Sequence, residues 1–245
     1  MLLFLTSNPF DETPPADCPL DFTLRKDNAF LANLMDVLPP QGRCVVVASD
    51  PDSHGITDDF ACRMQEAFRW HNIPLGRVDV LDGRNPAEAP ELVKQADLLF
   101  LCGGHVPTQN RFFAEINLRE LLKDFDGVVI GFSAGSMNCA EEVYAMPEEP
   151  GEAIDPAYER FLPGLGLTPI SIIPHYDYLK NATLDGLRVM EDIGCPDSMG
   201  RMFLLLPDGS YVVSMGEESA LFGEAYLLRD GETLPICDNG ESIAI

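Results

Sequence analysis

The stretch Gly127-Val128-Val129-Ile130-Gly131-Phe132-Ser133-Ala134-Gly135-Ser136 decides the fold. Its first half is apolar and β-branched, as suits a strand buried on both faces, and its second half is a run of small residues able to open a helix. A strand that turns at once into a helix is one unit of a parallel sheet. The G-x-S-x-G spacing adds chemistry to that unit. Glycines flank the serine because side chains there would collide with neighbouring backbone, so Ser133 is pushed into a strained, exposed position. The helix start supplies N–H groups beside it, where a developing oxyanion can be held. The plainer alternative is a tight turn in which Ser133 only caps the helix.

The same alternation extends to both sides of this stretch. Apolar runs rich in Val, Ile, Leu and Phe occur at residues 1–6, 43–48, 77–81, 97–102 and 127–132, separated by segments of helical period. Helices are expected over 24–38, 58–71, 109–123 and 134–142, the second opened by Asp58 and Asp59. This predicts an α/β fold, a doubly wound and mainly parallel sheet with helices on both faces. From about residue 169 short strands follow closely, at 169–173, 202–206, 211–215, 219–222 and 225–229. Pro207-Asp208-Gly209 and Arg229-Asp230-Gly231 read as turns between them. They are expected to be C-terminal antiparallel hairpins extending the same sheet, within a single domain spanning 1–245.

Composition narrows the partners. Forty acidic against 16 basic side chains give a formal charge of −24, so a phosphate backbone would meet net repulsion, and no local basic strip offsets it. No apolar stretch approaches the length that spans a bilayer, and Met1 to Leu5 reads as a buried strand, not a signal core. Seven scattered cysteines lack the paired spacing of a zinc site and suggest reduced thiols in a cytoplasmic protein. The expectation is a protein without cofactor, metal, nucleic acid or membrane partner. A homodimer is compatible with the sequence, which does not decide oligomeric state.

A serine hydroxyl needs a base, and there are four histidines. His71 closes a helix candidate and suits a packing role. His54 lies in a loop that loosely resembles a calcium site but has histidine at its fifth position and alanine at its twelfth, which rules calcium out. His175 follows an apolar strand and Pro174, at the carboxyl edge where open α/β sheets place their sites. Gly103-Gly104-His105 ends another strand, and its backbone can supply a second oxyanion donor beside the Ala134 amide.

Three segments taken together resemble the dipeptidase E and cyanophycinase family of serine peptidases: Gly103 to Asn110, Gly131 to Ser136, and Gly164 to Leu167 leading into Ile173-Pro174-His175-Tyr176. The resemblance implies a class I glutamine amidotransferase-like fold, a Ser-His-acid triad, and cleavage after aspartyl residues in short peptides. It implies Ser133 as nucleophile, His175 as base, and Gly104 with Ala134 as oxyanion donors. The late acidic position falls on Glu217, with Glu218 beside it and Glu148 or Glu149 as further alternatives. His105, Gln109, Asn110 and Tyr176 are the substrate-binding candidates, and Arg111, Lys180 and Arg201 are the cations available to an acidic substrate.

Two departures concern the substrate pocket. The chain reads Ala145-Met146-Pro147 where dipeptidase E has an aspartate before Met-Pro, and it carries His105 where the better-known members have a third glycine. Three rival readings are a non-catalytic ligand-binding member of the fold, an amidotransferase subunit, whose nucleophile would be cysteine, and a small-ester or amide hydrolase on the same triad.

Overall fold

The computed structural model describes residues 1–245. Five parallel strands make up one side of an eight-stranded sheet: in spatial order Leu2–Thr6, Val128–Phe132, Leu98–Leu101, Arg43–Val47 and, at the edge, Arg77–Leu81. Their apolar residues alternate between two cores. Leu3, Leu5, Val45, Val47, Leu99, Leu101 and Val129 enter one, while Phe4, Cys44, Val46, Leu98, Phe100, Val128 and Ile130 enter the other. A period of two on a sheet covered on both faces produces this division. On the far side of Leu2–Thr6 the sheet continues antiparallel through Tyr211–Met215, Glu218–Phe222 and the short Ser242–Ala244. At the opposite edge Arg77–Leu81 carries Asp79, which pairs with Arg43 at 2.8 Å and Arg77 at 2.7 Å.

The C-terminal strands divide between two sheets, which corrects the expectation of one extended sheet. Ile172–Ile173, Met202–Leu205, Ala225–Arg229 and Glu232–Cys237 form a separate four-stranded sheet. Ile172–Ile173 and Met202–Leu205 are parallel. Leu204, Leu206 and Ile172 pack into the larger core, and Phe203, Leu205 and Ile173 pack with Tyr144 and Met146 into a small third one. No strand of this sheet pairs with one of the first. Pro207-Asp208-Gly209 therefore joins one sheet to the other and does not close a hairpin. Asp230-Gly231 does close one: both residues have positive φ and Arg229 pairs with Glu232, as a two-residue hairpin loop requires.

Helix limits also differ from the periodic pattern. Thr23–Leu24 pairs with Phe10–Asp11, and left-handed Asn28 and Ala29 delay the α-helix until Phe30–Val37. The second helix opens earlier than the acidic pair, at His54, behind a turn in which Asp50 accepts from the Ser53 hydroxyl and the Asp52 amide. Val106–Glu115 starts at a proline-containing first turn and breaks at left-handed Asn117. The helix after Ser133 ends at Met137, because the chain must turn to bridge Ala140 with Thr168 and form Glu142–Tyr144. All seven cysteines are free thiols. No helix is long and apolar enough to cross a membrane.

Candidate active site

Ser133 stands between the end of Val128–Phe132 and a short helix, with φ 50° and ψ −109°. A non-glycine residue in that region costs about 1–3 kcal/mol, so its surroundings must enforce it. They do so by close approach. A Cβ on Gly131 would come within 2.6 Å of the Ser136 Cα, and one on Gly135 within 2.2 Å of the Leu101 carbonyl oxygen. Thr6, on the neighbouring strand, locks the turn. Its carbonyl accepts from the Ser133 amide at 3.1 Å and from the Ser136 hydroxyl at 2.9 Å, and its hydroxyl donates to Gly131 at 2.6 Å. The amides of Gly104 and Ala134 find no backbone acceptor and remain available beside Ser133.

His175 reaches Ser133 from the other sheet. It follows Ile172–Ile173, and its Nε2 lies 2.8 Å from Ser133 Oγ. Its Nδ1 lies 2.7 Å from Asp208 Oδ1. Asp208 follows Met202–Leu205, and because that strand runs parallel to Ile172–Ile173 the two residues emerge side by side at one edge. Desolvation works to raise the Asp208 pKa, but the hydrogen bond and charge of His175, the Ser7 hydroxyl and the Arg25 guanidinium outweigh it and hold the carboxyl below its ordinary value.

Ser7 spans the two sheets. Fully buried at the end of Leu2–Thr6, it accepts the His175 backbone N–H at 2.8 Å and donates its own proton to Asp208 Oδ1 at 2.6 Å. The large sheet thus fixes the backbone of the histidine and the orientation of the carboxylate at once.

Strand register places Asp208, and not the expected Glu217, beside the His175 imidazole. Tyr211 pairs with Thr6 and Ser214 with Leu3, so Tyr211–Met215 runs away from the edge that carries Ser133. Glu217 lies in the turn after it, at the opposite edge, one strand length or about 17 Å further on. Glu218 begins the returning strand there. The signal for Asp208 was present. Pro207-Asp208-Gly209 follows an apolar strand, the same position that singles out His175, but its turn-forming composition masks an acidic side chain with a partner.

The substrate-binding candidates also move. Gln109 is fully buried and donates to the Cys102 carbonyl, supporting the glycine turn from beneath. Asn110 donates to Asn138 and to the Pro163 carbonyl. Tyr176 packs on Tyr226. None of the three lines the cavity beside Ser133, and Tyr178 does. His105 is engaged on both ring nitrogens, by Thr108 and by Glu152, each at 2.8 Å. Ligand atoms of His105, Glu149 and Glu152 lie within 4.8 Å of one another, but that cluster is knit together internally. Glu152 accepts the Glu148 and Glu149 amides at 3.0 Å, which fixes the loop carrying Glu148. Neither Glu148 nor Glu149 bonds His175, so neither substitutes as its acid.

The model of peptidase family S51 matches residues 50–221 of the chain. Among solved structures, a 1.5 Å crystal structure of a candidate peptidase E protein from Listeria monocytogenes EGD-e is similar, with a TM-score of 0.56 and 13% identity, over 96% of this chain and 98% of that one. At such identity the likeness is one of fold. No curated protein matches the chain.

Proposed function

The chain belongs to peptidase family S51, serine peptidases of the dipeptidase E type, and from that membership we propose that it hydrolyses short peptides with Ser133 as nucleophile, His175 as base and Asp208 as the acid. One observation carries the assignment: Ser133 Oγ, the His175 imidazole and Asp208 form an unbroken line of hydrogen bonds of 2.8 and 2.7 Å at one edge of the fold.

His175 Nε2 takes the Ser133 proton as the oxygen attacks the scissile carbonyl. The resulting oxyanion meets the amides of Gly104 and Ala134. Asp208 holds the imidazole with Nδ1 protonated and balances the imidazolium that forms. His175 then protonates the leaving amine, and a water activated by the same imidazole releases the acyl group from Ser133. The short hydrogen bonds and the strained serine support this reading over the non-catalytic one, since that strain would have no use in a simple binding module.

A fluorophosphonate tests the nucleophile. Labelling should map to Ser133 and should vanish in His175→Ala; labelling elsewhere would refute the assignment. A panel of aspartyl dipeptides, isoaspartyl dipeptides, neutral dipeptides and short-chain esters separates peptidase from esterase. Turnover confined to the esters would overturn the peptidase reading.

A further inference from the structure

We infer that the pocket beside Ser133 takes an uncharged, apolar acyl side chain and turns away an acidic one, with Glu148 as the residue that enforces the difference. The inference rests on Ser133 being the nucleophile. A cavity of about 130 Å³ opens at Ser133 and His175, and Val106, Met137, Met146, Ile173, Leu184 and Val189 supply much of its wall. An apolar cavity of about 150 Å³ holds a benzene ring, so this one has room for a side chain the size of leucine or methionine.

Charge decides what else can enter. Glu148 is the only carboxylate in the lining, and no Lys or Arg is present there. The basic residues expected to meet an acidic substrate are committed elsewhere. Lys180 is paired with Asp177 at 2.7 Å, and Arg201 with Glu142 at 2.9 Å while lying over the Phe161 ring. Arg111 turns to the Thr108 hydroxyl at 3.3 Å. An aspartyl side chain in this cavity would therefore stand near a like charge, without a Lys or Arg partner, against a wall that is mostly apolar. A leucyl side chain would instead exchange water for apolar contact.

Glu148 is held at this wall. Its Oε1 accepts the Val106 amide at 3.0 Å, and Val106 itself lines the cavity. Although the residue as a whole is exposed, its carboxyl faces protein, and desolvation pushes its pKa up. That shift is the same penalty a second carboxylate would meet in the cavity.

Diphenyl phosphonate analogues of leucine and aspartate test the pocket without requiring peptide turnover. Each reacts as the serine oxygen displaces phenoxide from phosphorus, the serine proton passing through the base to the departing phenoxide. The leucyl compound should inactivate the protein at least about tenfold faster than the aspartyl one, the scale of an unpaired like-charge contact in a partly desolvated site. Glu148→Gln should raise the aspartyl rate relative to the leucyl rate by at least about threefold. An aspartyl rate equal to or above the leucyl rate, or one unmoved by Glu148→Gln, would overturn the inference. A fluorophosphonate without an amino-acid side chain reads the nucleophile alone. If it labels Ser133 while the aspartyl analogue is preferred, the pocket inference falls and the serine assignment stands; if Ser133 is not labelled, both fall.

Discussion

The eight-stranded sheet contributes one member of the proposed triad and the four-stranded sheet two, and they hold them by different means. Ser133 is fixed by steric exclusion within a single turn, where Gly131, Gly135 and Thr6 leave its backbone no alternative. His175 and Asp208 are fixed by the pairing of two short strands and by one buried hydroxyl that ties them to the first sheet. The placement of the proposed nucleophile is thus a local property of the chain, whereas that of the proposed base and acid depends on how two sheets meet. Damage to the second arrangement should cost activity in proportion to how much orientation is lost, and damage to the first should remove it outright.

The largest effect is expected at the local site. Ser133→Ala should lower turnover by about a million-fold, as loss of the nucleophile does in comparable triads, with a melting temperature unchanged or slightly raised. Residual turnover within about a hundredfold of the parent would break the comparison at its first term. The next effect belongs to the acid. Asp208→Asn should cost roughly ten-thousandfold in kcat, and Glu217→Gln less than about threefold, measured side by side on the same substrate. The reverse ranking would move the acid to the far edge of the sheet and contradict the register of Tyr211–Met215.

A smaller loss should follow removal of the tie between sheets. Ser7 makes one hydrogen bond to a neutral amide and one to a carboxylate, contributions of about 1 and about 2 kcal/mol, so Ser7→Ala should lower kcat by ten- to a hundredfold with KM nearly unchanged. If KM rises while kcat holds, Ser7 shapes the pocket and does not position the base. The smallest effect is on stability. The folded pKa of Glu148 is raised, so its ionised form costs stability above the unfolded carboxyl value of about 4.3, and that cost is absent below it. Thermal melts of Glu148→Gln should therefore lie above the parent at neutral pH, and the gap should close as the pH falls toward about 4.

The difference between the sheets also sets what could be read from the chain. The five parallel strands were legible because burial on both faces writes continuous apolar runs, and the serine turn because its glycines sit where no Cβ fits. The small sheet was not. Its strands Ile172–Ile173 and Met202–Leu205 look like any other apolar run, and nothing local says that they pair with each other in place of joining the main sheet. The fate of Asp208 follows from that pairing. His175 could be placed because it ends a strand; Asp208 ends one too, but its Pro and Gly neighbours gave it the appearance of a turn residue. Ser7 was not legible at all, since a serine serving two partners across 168 and 201 positions leaves no periodic trace. Gln109 and Asn110 read differently for the opposite reason: polar residues beside a glycine turn suggest ligand contact, but here they donate to the Cys102 and Pro163 carbonyl groups.

The two edges of the large sheet bear on how the protein behaves in concentrated solution. A free strand edge is a template for another chain, and fibrils grow by adding strands to it. Here one edge strand, Arg77–Leu81, carries alternating charges that a docking strand would have to bury, and the other, Ser242–Ala244, is only three residues long. Growth by strand addition is blocked at both ends, and the strongly negative surface adds mutual repulsion between molecules. Trimming the last residues would expose Glu218–Phe222 as a longer edge, so a tag or truncation there carries more risk of precipitation than one at Arg77–Leu81.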